Sequence, residues 1–163
     1  MASLAYLRGL EFLSIWGTGV SSEGVKKLMA LKHLEGLEAW STRIGDDGAE
    51  ALSKIPSLRY VALDNSPVTD RGAKALAGLP NITELDLGGT GVTDSLLRHI
   101  GDNTKLRELS LGGTLITDAG VAQLRSNSLE ELELADTLVT DSVLQHLGQF
   151  QSLQHLDLGM TAV

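Results

Sequence analysis

The sequence has 163 residues, 42% of them apolar and 21% charged, which is the composition of a globular domain and excludes a disordered chain. Its 21 acidic and 13 basic side chains give a net charge of −8, which disfavours nucleic acid as a partner. No apolar run is long enough for a membrane span, and residues 1–16 lack the pattern of a secretory signal. The absence of cysteine excludes thiolate metal sites and favours a reducing cytoplasm.

A period of 24 residues organises the whole chain. A partial repeat at 1–9 precedes full repeats at 10–33, 34–57, 58–81, 82–105, 106–128 and 129–152, and a partial repeat at 153–163 follows. Leu4 and Leu7 match Leu28 and Leu31 in phase. Each full repeat opens with an alternating segment, which predicts a short strand, and closes with helical spacing, as in Ala119–Leu124. No repeat can bury its apolar edge alone, so we expect a single elongated domain, whose uncapped ends indicate a fragment of a longer protein.

The apolar columns resemble the leucine-rich repeat pattern Leu-x-x-Leu-x-Leu, as in Leu106, Leu109 and Leu111. This resemblance implies an α/β solenoid with parallel strands on a concave face and helices on a convex face. Packing distances predict the same curvature, because strands stack about 4.8 Å apart whereas helices need about 8–10 Å.

Two segments, at 48–53 and 72–77, are similar to the Gly-Ala-x-Ala-Leu-Ala signature of the GALA repeats of bacterial effectors. The Thr-Asp-x-Gly columns also resemble F-box leucine-rich proteins and ribonuclease-inhibitor-like repeats. The chain departs from these patterns where Leu96 and Val143 replace the glycine, and it shows no F-box-like segment. Small residues at a tight helix contact are the alternative explanation of the signature.

Two polar columns predict how each repeat turns. The first is a hydroxyl residue after every strand, expected to satisfy turn backbone: Thr18, Thr42, Ser66, Thr90, Thr114, Thr137 and Thr161. The second consists of Thr-Asp pairs before the helical stretches, such as Thr69-Asp70 and Thr93-Asp94, which are typical of helix N-caps. We therefore interpret these aspartates as architecture and not as metal ligands.

Side chains between the core leucines point away from the core and line the concave face. Four of the six aromatic residues fall there, in the first three repeats: Phe12, Trp16, Trp40 and Tyr60. Beyond them lies an acidic stripe of Glu84, Asp86, Glu108, Glu131, Glu133 and Asp157, with Glu38, Asp64 and Asp136 beside it. No lysine or arginine occurs in these columns. These residues also have structural explanations that need no partner. The aromatic rings could pack on one another or under a cap, and the acids could form a solvated strand face.

These columns predict a protein-interaction module with no enzymatic activity, cofactor or metal, and without nucleic acid or membrane as a partner. The expected partner is a protein or peptide with basic and apolar portions, since arginine both stacks on tryptophan and pairs with carboxylates. The four histidines fall in different repeats, and the glycine-rich turn at 88–91 lacks the ending of a phosphate loop. The GALA resemblance implies the targeting domain of a bacterial effector or ubiquitin-ligase-type protein, secreted into a host by a non-classical route. The alternative is a spacer or assembly element that self-associates through its ends.

Overall fold

A computed structural model of the protein describes residues 7–100, 105–124 and 128–163. Within these ranges, seven three-residue strands form one parallel sheet in chain order. The strands are β1 (Phe12–Ser14), β2 (Gly36–Glu38), β3 (Tyr60–Ala62), β4 (Glu84–Asp86), β5 (Glu108–Ser110), β6 (Glu131–Glu133) and β7 (His155–Asp157). Neighbouring strands pair one repeat apart, so Phe12 lies opposite Gly36 and Gly36 opposite Tyr60. The predicted columns therefore run straight across the sheet.

Short helices return the chain from one strand to the next. They are α1 (Ser22–Val25), α2 (Asp46–Leu52), α3 (Asp70–Ala77), α4 (Asp94–Ile100), α5 (Asp118–Val121) and α6 (Leu144–Leu147), with 3₁₀ turns at Lys26–Ala30 and Asp141–Val143. The prediction of a helix over 119–124 is wrong in its bounds, since α5 begins one residue earlier and ends at Val121. The N–H of Gln123 bonds three residues back to the Gly120 carbonyl, which tightens the last turn.

One hydrophobic core runs along the solenoid between the sheet and the helices. The leucine column at the centre of the strands is buried in β2 to β6 and opens toward solvent in β7, where Leu156 is exposed. Leu7, which matches the buried Leu31 in phase, is exposed. Leu4 lies outside the described residues.

The hydroxyl column closes the turn after each strand, as the sequence predicts. Thr42 Oγ1 donates to the Ala39 carbonyl at 2.7 Å, and Thr114 Oγ1 donates to the Leu111 carbonyl at 2.5 Å. The same bond, three residues back, occurs at Thr18, Thr90, Thr137 and Thr161. Ser66 instead reaches the Ala39 carbonyl of the preceding repeat at 3.4 Å. In both arrangements the hydroxyl donates a hydrogen bond to a backbone carbonyl of a turn.

A left-handed residue precedes every one of these hydroxyls, a feature that the sequence did not predict. Among the described residues, seven have positive φ: Gly17, Ser41, Asn65, Gly89, Gly113, Asp136 and Met160. Non-glycine side chains pay a steric cost in this region, and asparagine and aspartate tolerate it better than others. The chain therefore leaves the sheet at the same point of each repeat.

The helix-initiating aspartates bind the next repeat. Asp70 accepts hydrogen bonds from the Thr93 N–H at 2.9 Å and from the Thr93 hydroxyl at 2.6 Å. The same two bonds join Asp46 to Thr69, Asp94 to Thr117 and Asp118 to Thr140.

The threonine N-caps are confirmed, because the hydroxyls of Thr69, Thr117 and Thr140 accept from N–H groups of the first turn. The prediction of aspartate caps is wrong, since each aspartate is the first helical residue and its carboxylate serves the neighbouring repeat. Burial raises the pKa of Asp46, but hydrogen bonds from Thr69 and Gly72 outweigh that effect and lower it overall.

Candidate functional site on the concave face

The strand register arranges the predicted aromatic residues as two stacked pairs. We call Phe12, Trp16, Trp40 and Tyr60 the aromatic patch. The indoles of Trp16 and Trp40 stack with centroids 4.4 Å apart and planes inclined by 5°. Their turns are held side by side because the Gly17 N–H donates to the Trp40 carbonyl at 2.9 Å. The rings of Phe12 and Tyr60 also stack, at 6.3 Å and 14°.

Gly36 allows the second pair to form although its members lie two strands apart. It occupies the position between them in the register. A Cβ atom at Gly36 would lie 2.5 Å from a ring carbon of Phe12, so the ring occupies the space of the absent side chain. The sequence signal for this contact, which the predicted columns left without a role, is a glycine between two aromatic residues in one column.

The aromatic rings pack on one another and also face solvent. Phe12 is 50% exposed and Trp16 is 52% exposed, whereas Trp40 and Tyr60 are partly buried. Ring packing was the alternative explanation of the column, and it accounts for the contacts but leaves the outer ring of each pair uncovered. The patch therefore presents an apolar surface on the concave face.

The predicted acidic residues lie together on strands β4 to β7. We call Glu84, Asp86, Glu108, Glu131, Glu133 and Asp157 the acidic stripe. Glu84, Glu108 and Glu131 stand opposite one another in register. A depression of about 240 Å³ is lined by four members of the stripe and by Asp64. None of the ion pairs among the described residues involves these carboxylates.

Neutral donors hold several of these carboxylates in place. Ser110 Oγ donates to Glu133 at 2.6 Å, and Ser14 Oγ donates to Glu38 at 2.8 Å. The Gly88 N–H donates to Asp64 at 3.1 Å, and a Cβ added at Gly88 would lie 2.9 Å from that oxygen. These bonds orient the acids without neutralising their charge.

The aromatic patch and the acidic stripe meet at Asp86. Burial, with Asp64 and Glu84 nearby, raises the pKa of Asp86 to about 7, although a hydrogen bond with the Tyr60 hydroxyl acts in the opposite direction. Burial likewise raises the pKa of Asp64 and of Glu84. Burial and the adjacent acids raise the pKa of Tyr60, so its hydroxyl stays protonated and donates. Tyr60 thus belongs to the aromatic patch and also binds the stripe.

The histidines and other possible metal ligands were compared across the described ranges. No group of three or more histidine, aspartate or glutamate side chains there is placed to hold a metal ion. His155 lies on β7, while His33 and His99 are exposed outside the sheet. None of the helices in those ranges combines the length and hydropathy that crossing a bilayer requires.

The repeat pattern and the fold both have relatives. A leucine-rich repeat family model matches residues 54–77 and 102–124. An internalin (inlF) from Listeria monocytogenes superposes with a TM-score of 0.74 at 18% identity, over 96% of this chain and 44% of its own. The fold is a leucine-rich repeat solenoid.

Two further solved structures share this solenoid. Internalin C2 (inlC2) from Listeria monocytogenes superposes with a TM-score of 0.67 at 25% identity, over 96% of this chain and 74% of its own. A leucine-rich repeat protein from Leptospira interrogans superposes with a TM-score of 0.69 at 20% identity, over 98% of this chain and 45% of its own. The chain therefore spans less than half of the inlF and Leptospira proteins. No curated protein sequence matches it.

Proposed function

We propose that this chain is a protein-interaction module that binds a protein or peptide segment carrying basic and apolar side chains on its concave face. The observation that carries the proposal is the continuity of the aromatic patch with an acidic stripe that has no basic counterpart among the described ion pairs. Leucine-rich repeat and other solenoid proteins use such extended concave surfaces for binding. The role is non-catalytic and needs no cofactor.

The energetics favour arginine as the central recognition element. A guanidinium group stacks on an indole face and forms paired hydrogen bonds with a carboxylate. Phe12 and Trp16 are about half exposed, and aromatic side chains bury roughly 150–250 Å² each. Covering the outer rings therefore removes on the order of 200 Å² of apolar surface, and the acids speed the approach of a basic partner.

The test uses a fluorescein-labelled peptide of alternating arginine and leucine as the probe, with a glutamate and leucine peptide as its control. Fluorescence anisotropy should show binding of the basic peptide alone. The double variant Trp16→Ala, Trp40→Ala should fold, because Trp16 is half exposed and Trp40 is not part of the buried core, but should lose this binding. Met29→Ala, which truncates an exposed side chain off the sheet, is the matched control. Far-ultraviolet circular dichroism reports whether the double variant folds, and unchanged affinity of a folded double variant rejects the proposal.

We propose a cytoplasmic location because the chain lacks cysteine, and a targeting role in a bacterial effector or ubiquitin-ligase-type protein because of the GALA-like segments. The helix packing is what the alternative explanation of these segments, small residues at a tight helix contact, predicts. A Cβ atom at Gly72 of α3 would lie 2.7 Å from Asp46 Oδ1 and 2.9 Å from the Ala49 Cβ of α2. Glycine and alanine therefore set a close contact between these helices.

The second candidate function is assembly through the ends of the sheet. Strands β1 and β7 each pair on one side only in the described structure, and Leu156 is exposed on β7. Unpaired parallel edges favour pairing with another chain. If this is the function, the mass measured by light scattering should rise with concentration, and Leu156→Lys should lower it.

A further inference from the structure

Two leucines form an exposed apolar surface that the concave columns do not include. Leu115 and Leu138 follow the turn hydroxyls of the fifth and sixth repeats and are 56% and 57% exposed. Both belong to the backbone ladder that runs down the side of the solenoid, where the Leu115 N–H donates to Val92 and the Leu138 N–H donates to Ile116. We call this pair the leucine flank.

The fold does not require leucine at these positions. The equivalent residues of the other repeats are Gly19, Arg43, Pro67, Gly91 and Ala162. The core is filled instead by the next residue in each repeat, such as Ile116 and Val139, which are fully buried. Both leucines also have a described repeat on each side, so their exposure is not an effect of the solenoid ends.

The leucine flank is connected to the acidic stripe across the edge where the strands end. Leu115 is only three residues beyond Gly112, which lies on the concave side of that edge. A depression of about 510 Å³ lies at the strand ends and is lined by Asp64, Glu133, Asp136 and the glycines of two turns. Its negative charge therefore reaches Asp136, two residues before Leu138, and the glycines leave the surface open there.

We propose that a single extended partner segment binds the aromatic patch at one end, runs along the acidic stripe, and places a second apolar side chain on the leucine flank. This inference rests on the proposed function. Trp16 and Leu115 lie four repeats apart, which is about 20 Å along the sheet at a strand spacing of about 4.8 Å, and the step over the edge adds to this distance. An extended chain rises about 3.3 Å per residue, so at least about five residues separate its two apolar side chains.

The chemistry of the partner segment follows from the surfaces that it must cover, namely the aromatic patch, the acidic stripe and the leucine flank. The intervening residues must be basic because they face carboxylates held only by neutral donors. We expect an extended segment, because a straight helix cannot follow the concave face and then turn over the edge of the sheet to the leucine flank. The partner is therefore a segment with a basic centre and an apolar side chain at each end.

The test measures anisotropy with a fluorescein-labelled peptide of tyrosine, about five alternating arginine and serine residues, and leucine. Leu115→Ser combined with Leu138→Ser should weaken this peptide about 10- to 30-fold, since two half-exposed leucines lose their contact. The same variant should bind with unchanged affinity a peptide that ends in serine instead of leucine, and a peptide whose spacer has only about two residues. Leu144→Ser removes a 53% exposed leucine on α6 and is the matched control.

Equal affinity of the folded flank variant and the unaltered protein for the leucine peptide overturns the inference. The outcomes separate the two proposals. Loss of binding in the Trp16→Ala, Trp40→Ala variant but not in the flank variant leaves the proposed function standing and rejects the second anchor. If both variants retain the binding of the unaltered protein, both proposals are rejected.

Discussion

Removing the charge of Asp86 should stabilise the protein at neutral and alkaline pH. In Asp86→Asn the amide oxygen still accepts from the Tyr60 hydroxyl, so the change removes mainly the charge and its repulsion of Asp64 and Glu84. The pKa of Asp86 rises from 3.8 to about 7, so the carboxyl favours its protonated form in the fold.

The sign of the pH dependence follows from linkage. A carboxyl with a raised pKa binds a proton more tightly in the folded state, so its stabilising contribution is complete below about pH 4 and is lost by about pH 7. The rise in the pKa of Asp86 from 3.8 to about 7 corresponds to ~4 kcal/mol, at 1.36 kcal/mol for each unit of pKa. Because Asp86 retains some exposure, solvent screening reduces this to about 2 kcal/mol.

Urea unfolding monitored by circular dichroism at pH 4 and pH 8 measures the effect. The free energy of unfolding of Asp86→Asn should match that of the unaltered protein at pH 4 and exceed it by about 2 kcal/mol at pH 8. Glu108→Gln, which removes an exposed carboxylate from the next strand, should change it by less than about 0.5 kcal/mol. A difference for Asp86→Asn that is the same at both pH values would refute the burial argument.

Two further predictions concern the contacts between repeats, and thermal or urea unfolding tests both. Gly120→Ala should destabilise the fold by about 1–3 kcal/mol, because its Cβ would lie 2.1 Å from Asp94 Oδ1, whereas Gly148→Ala, with nothing within 4 Å, should be neutral. Equal effects would contradict the contact. Asp70→Ala should cost about 1–3 kcal/mol because the Thr93 N–H and hydroxyl lose their acceptor. Thr93→Val in the same background should then cost less than it does alone.

The regular features of the fold could be predicted because each follows from spacing repeated many times. Alternation placed the strands, and their register kept residues such as Trp16 and Trp40 in one column. The turn hydroxyls were predictable for the same reason, since a small donor recurs where the chain reverses. The helix bounds were less predictable, because a stretch such as 119–124 has helical spacing throughout but ends in a tightened turn at Gln123.

Contacts between different repeats were not predictable from one repeat at a time. The Asp70 to Thr93 bonds join residues that appear in the sequence to belong to two separate caps. The contact of Phe12 with Tyr60 depends on the missing side chain of Gly36, which carries no signal unless the column is read across strands. The leucine flank was missed because its column is polar, small or apolar in different repeats. Only its exposure, seen in three dimensions, sets it apart.

The in-register glutamates of β4, β5 and β6 have an electrostatic consequence of their own. Glu84, Glu108 and Glu131 follow one another at the strand spacing of about 4.8 Å. Two unit charges in water interact with the thermal energy at a separation of roughly 7 Å, so carboxylates at this backbone spacing repel one another appreciably. Dissolved salt screens that repulsion, so we expect a higher ionic strength to stabilise the row while it weakens the attraction of a basic segment.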